Sequence, residues 1–253
     1  MAALIPPASL LRNETDARRY TQSTLACVCV LYAALGLSLA NVLPPWILLP
    51  VVPLVYLRLA LGLHELMHVC PAEAVPRVHR LTMIFESPVC LGYREHRAIH
   101  FAHHRFASTD RDPELYQIVG GPWRAFVNAM VVPERSLARW VSEHGVSRSL
   151  AQEAGIRLVG FVTVLAINPV VFLIYWLALR VSVGCASFVF HHVLHSHDGE
   201  LGTFPLPVSA RVVRAAGLIV GREPLLILTE HERHHQWPSL RASCLPLMPG
   251  PRA

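Results

Sequence analysis

Three short histidine clusters recur along the chain: His64-Glu65-Leu66-Met67-His68, His100-Phe101-Ala102-His103-His104 and His231-Glu232-Arg233-His234-His235. The last two share one pattern, H-x-x-H-H, although more than a hundred residues separate them. Residues three and four apart share a helical face, so each cluster is expected to aim its imidazoles one way. Neutral imidazole suits iron, copper, nickel and zinc alike. One zinc takes about three or four ligands, so eight rings imply two ions, each keeping a position open for oxygen chemistry. A ninth ligand is sought among His191, His192, His195 and His197, where His195 is the choice and an interfacial polar patch the alternative. His79, His96 and His144 stand alone and read as surface or packed residues.

The first cluster also spells H-E-x-x-H, in which two histidines hold zinc and the glutamate is the base of a metalloprotease. An intramembrane zinc protease using His64, Glu65 and His68 is therefore a rival, but it leaves both H-x-x-H-H clusters idle. In the two-ion reading Glu65 accepts a hydrogen bond from a ligand ring and fixes its tautomer. The acids Asp110, Asp112 and Glu114 either accept from ligand rings, or from Arg105 and Arg111, or form a solvated turn beginning at Asp112-Pro113.

The elements that must carry these clusters are lipid-adapted. The 253 residues are 53% hydrophobic and 15% charged, whereas soluble domains are about 25% charged. The net charge of +5 suits anionic head groups as well as nucleic acid. No aromatic-basic interleaving or zinc-knuckle spacing supports nucleic acid as a partner. The cysteines at 27, 29, 70, 90, 185 and 244 include no C-x-x-C pair, which argues against a disulfide framework or an iron–sulfur site. The segment Met1 to Leu11 lacks the basic start and apolar core of a cleaved signal, so a membrane anchor is expected.

These features predict an all-α integral membrane protein, with four transmembrane helices in two hairpins and a cytoplasmic helical cap around a dimetal site. Residues 1–23 form an N-terminal cytoplasmic segment and 24–63 the first hairpin, with spans from Thr24 to Val42 and Trp46 to Leu63. Residues 64–155 form a cytoplasmic region of short amphipathic helices bearing the first two clusters. Residues 156–195 form the second hairpin, turning at Asn168-Pro169 or alternatively at Arg180. Residues 196–253 return to the cytoplasm with the third cluster. The loop Leu43-Pro44-Pro45 has no arginine, while Arg12, Arg18, Arg19, Arg77 and Arg80 flank the hairpin, so both termini are expected on the cytoplasmic side, as in a bacterial inner membrane. Arg58 and Arg180 lie within apolar runs and either snorkel or face the protein.

The order H-x-x-x-H, H-x-x-H-H, H-x-x-H-H on two membrane hairpins resembles the membrane fatty acid desaturase family. The runs His103-His104-Arg105-Phe106 to Asp112-Pro113-Glu114, and His234-His235-Gln236-Trp237-Pro238-Ser239 to Leu245-Pro246, are similar to the segments after the second and third boxes in that family. The resemblance covers roughly residues 60–246 and is specific for the superfamily rather than the reaction. It implies two Fe2+ ions held by His64, His68, His100, His103, His104, His231, His234 and His235, with His195 matching a single histidine before the third box. No catalytic residue is implied beyond the ligands. The implied reaction is O2-dependent desaturation of a fatty acyl chain in a membrane lipid. Carotenoid ketolases and lipid hydroxylases share the boxes and are alternatives, and the chain's shortness favours the ketolases among them. With no haem or dinucleotide motif, electrons are expected from an external ferredoxin or cytochrome-type donor.

Overall fold

A computed structural model describes residues 6–69, 77–82 and 87–249, with the backbone alone at Arg77 and Ile219. Cys70, the rest of 70–76, and the side chain of Arg77 lie outside the described residues, as do 1–5, 83–86 and 250–253.

Helices dominate. α1 (Glu14–Leu39) begins ten residues before the expected span because Asn13 caps it. The Asn13 side chain accepts from Thr15 N at 3.0 Å and Asp16 N at 3.2 Å, and Asp16 reaches back to the Asn13 N–H at 3.0 Å, a reciprocal box that satisfies the first free amides. Residues 1–23 are therefore not a separate segment: their last ten belong to the first apolar helix. A 3₁₀ turn, Pro45–Ile47, leads into α2 (Leu48–Val69), which runs past His64 to beyond His68. Box one thus stands on the apolar helix itself rather than after it.

The intervening region is a set of shorter helices: α3 (Arg77–Thr82), α4 (Tyr93–Phe106), α5 (Leu115–Ile118), α6 (Gly121–Met130) and α7 (Val132–His144). The next apolar helix, α8 (Arg148–Ile167), starts eight residues before the expected hairpin, where Ser147 Oγ accepts from Leu150 N at 3.1 Å. Asn168 ends it and caps α9 (Pro169–Ser187), accepting from Val170 N and Val171 N, both at 3.1 Å. Pro169 suits this first helical position because its amide needs no partner. The turn is therefore at Asn168-Pro169. Arg180 lies inside α9 and pairs with Glu134 of α7 at 2.6 Å. Arg58 likewise faces protein, donating to Ser23 Oγ of α1 at 3.2 Å.

Among the described residues, four helices are long and apolar enough to cross a membrane: Glu14–Leu39, Pro45–Val69, Arg148–Ile167 and Pro169–Val193. Their shared core joins Val28, Leu31 and Leu35 of α1 to Val52 and Leu59 of α2 and to Val171, Tyr175 and Leu179 of α9. α8 stays at the edge. It meets α9 through Phe161, whose ring packs edge-on against Phe172 at 4.4 Å and Trp176 at 5.0 Å, and its outer side leaves Leu158, Val159 and Val162 exposed.

After α9 the chain forms a π-helical turn, Phe188–Val193, then a two-stranded hairpin of β1 (Ser196–His197) and β2 (Glu200–Leu201). Asp198 and Gly199 both have positive φ, 49° and 87°, the conformation that matches a two-residue hairpin turn to strand twist. Among the described residues, three α-helices follow, α10 (Ala210–Val220), α11 (Arg222–Thr229) and α12 (His231–Gln236), and then a 3₁₀ segment, Ala242–Leu247. The segment after α12 returns to the N-terminal one. Leu11 and Leu240 form a β-bridge, Arg12 N donates to Ser239 O at 3.0 Å, and Arg241 N donates to Leu10 O at 3.1 Å.

α1 and α2 approach closely near box one. A methyl group built on Gly62 would lie 2.7 Å from Thr24 Oγ1. Gly62→Leu should therefore push the helices apart at a cost of roughly 1–3 kcal/mol, lowering the thermal midpoint in detergent and reducing metal retention together.

Candidate metal centre

The nine histidines expected as ligands converge, from four places in the chain. His64 and His68 stand one turn apart on α2, their ring centres 4.9 Å from each other. His100, His103 and His104 come from the last turn and a half of α4. His195 comes just after the π-helical turn, and His231, His234 and His235 lie on α12. α4 is held at its start by α8: the Tyr93 N–H donates to Glu153 at 3.2 Å, and Ser147 Oγ donates to Glu95 at 2.9 Å.

The rings form two adjoining groups. In one, His64, His68, His104 and His234 each offer a nitrogen within 4.8 Å of the others. His100 joins it, with Nε2 at 2.9 Å from His68 Nε2 and 3.1 Å from His104 Nε2. In the other, His103, His195 and His235 meet the same distance criterion, 4.8 Å, and His231 Nε2 lies 2.9 Å from His195 Nε2. The groups touch where His104 stacks on His235 at 4.2 Å. Each H-x-x-H-H box is thus divided between them, contrary to the expectation that its rings point one way. Neighbouring residues on a helix point about 100° apart, so the doublets His103-His104 and His234-His235 straddle the two groups while the residues four apart stay together.

Hydrogen bonds to the far ring nitrogens set the chemistry of the near ones. His103 Nδ1 donates to the Asp112 carboxylate at 2.9 and 3.0 Å. His195 Nδ1 donates to Gly202 O at 2.8 Å. In neutral rings both Nε2 atoms then carry lone pairs, yet they stand 3.1 Å apart. Two lone pairs facing at that distance repel, and a cation between them turns the clash into ligation. Nitrogens about 2.1 Å from one ion and at right angles around it would be about 3.0 Å apart. The buried His234 makes the same point, since neither of its ring nitrogens has a hydrogen-bond partner. Among the described residues, these two groups of imidazoles could hold metal ions.

Burial and crowding oppose a charge on six of the rings. Burial, then the neighbouring imidazoles, push His100, His104, His231, His234 and His235 well below the ordinary histidine range, and His195 down to about 3. Burial alone would raise the Asp112 carboxyl, but hydrogen bonds from His103 and from the Ser108 and Glu114 amides hold it below the usual carboxylate range. Of the acid run, Asp112 is the ring acceptor, whereas Asp110 is exposed. Glu114 is buried in the wall beside His191, its Oε2 at 3.7 Å from His191 Nε2. Burial pushes Glu114 up to about 7, against the pull of His103 and with the Asp112 charge adding to the rise.

The other histidines near His195 do not join either group. His192 donates to Ile118 O at 2.8 Å, His191 to Ser187 O at 3.0 Å, and His197 is exposed. His79 is packed against Glu153 at 3.3 Å, and His144 is exposed.

Glu65 is fully buried and lies behind His64, on the ring's Nδ1 side. Its two oxygens take Arg12 Nε at 3.0 Å and Arg12 Nη2 at 2.6 Å, and Oε1 lies 3.4 Å from His64 Nδ1. Arg12 also donates through Nη1 to Pro238 O, two residues after α12. Sequence reasoning missed Arg12, which carries no local signal because its partners lie 53 and 226 positions away. It also missed Arg157, fully buried on α8, which donates to Glu153 and to Leu91 O, both at 3.2 Å, and so braces the start of α4. The i, i+4 spacing of Glu153 and Arg157 in an apolar helix was the available clue.

An apolar cavity of about 260 Å³ leads to the rings between α2 and α9. Val52, Tyr56, Leu59 and Leu63 form one wall, Tyr175 and Leu179 the other, and His64, His100, His104 and His235 close the inner end. From Val52 to His64 along α2 is ~18 Å.

No protein-family model matches the chain, and neither a curated protein nor a solved structure shows significant similarity to it.

Arg12→Met leaves the buried Glu65 without its cation and should cost about 3–5 kcal/mol, read as a lower midpoint in denaturant or heat. Acid should act on the rings themselves. An unfolded histidine takes a proton near pH 6.5, while the buried rings resist until far lower. Below about pH 6.5 the unfolded state therefore binds more protons, and stability should fall as pH drops from there toward about 3. A pH series of thermal melts on metal-free protein checks this, and loss of metal should track the same window.

Proposed function

We propose that this chain is a membrane-bound, O2-dependent diiron enzyme that desaturates fatty acyl chains of lipids, as the resemblance to the membrane fatty acid desaturase family implies. The observation that carries the reading is the pair of adjoining imidazole groups, with lone pairs facing one another, at the inner end of a long apolar cavity. His64, His68, His100, His104 and His234 would hold one ion, and His103, His195, His231 and His235 the other. When bound, two ferrous ions and O2 supply an oxidant able to remove hydrogen from an unactivated C–H bond.

The chain's own residues do the rest. Val52, Tyr56, Leu59, Tyr175 and Leu179 would take up the acyl chain, and a groove of ~18 Å accepts roughly a dozen extended carbons before the rings. Leu63, Met67 and Phe190 keep water from the reacting carbon. Asp112 and the Gly202 carbonyl hold His103 and His195 in the tautomer that presents Nε2. The lack of a haem or dinucleotide motif supports an external ferredoxin or cytochrome-type donor. Arginine placement supports two hairpins opening on the cytoplasmic face of a bacterial inner membrane, with both termini on that side.

The zinc-protease reading asks Glu65 to act as a base on metal-bound water. Its carboxylate is instead engaged on both oxygens by Arg12, which speaks against that role.

Metal analysis of protein purified from iron-sufficient cells should give two irons per chain. Cells expressing it should gain unsaturated acyl chains, and His104→Ala should abolish that gain without loss of membrane insertion. A single zinc per chain, or altered carotenoids with unchanged acyl chains, would overturn the assignment.

A further inference from the structure

α10 presents an unusual outer face. Leu218 is 90% exposed, Val212 54% and Val208, just before the helix, 39%. Arg211, Arg214, Ala215 and Leu218 share one side of the helix, since they are spaced three and four apart, and Arg211 and Arg214 are exposed there. Arg222, at the start of α11, is exposed as well. No acid occurs between Glu200 and Glu223, and Glu223 is engaged by Arg19. The face is thus apolar and cationic, with no acid of its own.

Its depth is fixed by the residues beneath. Ala216 and Val220 belong to one apolar cluster with Leu57 and Leu61 of α2, and those two residues precede His64 by ~10 and ~5 Å along the helix. α10 therefore rests against the end of an apolar span, on its apolar side of the metal centre, where the neighbouring medium is the edge of the lipid. Amphipathic helices with arginine among leucine and valine lie in that layer, apolar residues among the acyl chains and guanidinium groups reaching up to phosphate.

We propose that α10 is an interfacial membrane helix that seats Val212 and Leu218 in the leaflet and binds anionic lipid head groups through Arg211, Arg214 and Arg222. This rests on α1, α2, α8 and α9 crossing the bilayer, and it moves α10 out of the aqueous cap in which the sequence pattern put it. The acidic phosphate of a bilayer lipid is the occupant, rather than an acidic protein, because the exposed side chains between the arginines are aliphatic and continuous with a span.

The test uses full-length protein with its six cysteines replaced by alanine, carrying a nitroxide on Leu218→Cys, Val162→Cys or Asp198→Cys, in nanodiscs of zwitterionic lipid with or without anionic lipid. Val162 lies on the outer side of α8, 51% exposed, and reports the span; the Asp198 side chain, 91% exposed, reports water. Leu218 should collide several-fold more with dissolved oxygen and several-fold less with a water-soluble nickel chelate than Asp198, and should move deeper when anionic lipid is added. Arg211→Gln, Arg214→Gln and Arg222→Gln together should abolish that anionic shift. A Leu218 probe as open to nickel as Asp198, while Val162 stays in lipid, would overturn the proposal alone; Val162 open to nickel would overturn the membrane reading beneath it. A probe shielded from both reagents would show a protein partner or a second copy on this face and would also overturn it. An anionic shift that survives the triple substitution would overturn the head-group role of the arginines.

Discussion

Neutral imidazoles buried with their lone pairs facing one another are the constraint around which this molecule is arranged. Such a cluster is poorly relieved by protonation, because burial and neighbouring rings oppose a charge on His100, His104, His195, His231, His234 and His235. The rings also line a largely apolar cavity. The remaining relief is a cation, and the chain has placed carboxylate and carbonyl acceptors so that the ring nitrogens facing inward are the ones free to bind it. Asp112 does this for His103 and Gly202 for His195. Ions that bind the folded state would offset the cost of gathering so many donors.

The loop that makes these contacts has a conformation to match. Ser108, a non-glycine residue with φ of 62°, donates from Oγ to Gly202 O at 2.8 Å and from its amide to Asp112 at 2.8 Å. One residue in a sparsely populated backbone region thereby connects the second box to the hairpin after α9. Strain of this kind persists where surrounding bonds over-determine the geometry. The π-helical turn before His195 belongs to the same set of adjustments, since it widens the helix immediately ahead of a ring in the second group.

Much of the site was legible in the sequence because histidine spacing is a local signal. H-x-x-x-H and H-x-x-H-H place rings on a helix whatever the rest of the fold does, and hydropathy marked the four apolar runs. Boundaries were less legible. Asn13 and Ser147 each start a helix well ahead of its apolar stretch, because a cap depends on side-chain hydrogen bonding rather than hydropathy. The division of each box between two groups needed the third dimension, since it depends on how α4 and α12 face each other. His195 could be preferred over His191 and His192 on spacing, but the carbonyl each ring meets is the real distinction: Gly202 O, Ser187 O or Ile118 O. Arg12 was invisible for the same reason, its partners being set by tertiary packing, whereas Arg157 left a local trace in its i, i+4 pairing with Glu153.

The contact between the chain's two extremities has a bearing on biogenesis. Arg12 reaches Glu65 and Pro238, and Leu11 joins Leu240, so the clasp over the first box cannot shut until nearly all the polypeptide between has left the ribosome. Box one on α2 and box two on α4 are both translated long before the third, which begins at His231. The imidazoles of His64, His68, His100, His103 and His104 therefore stay without their α12 neighbours until the last part of the chain has been made.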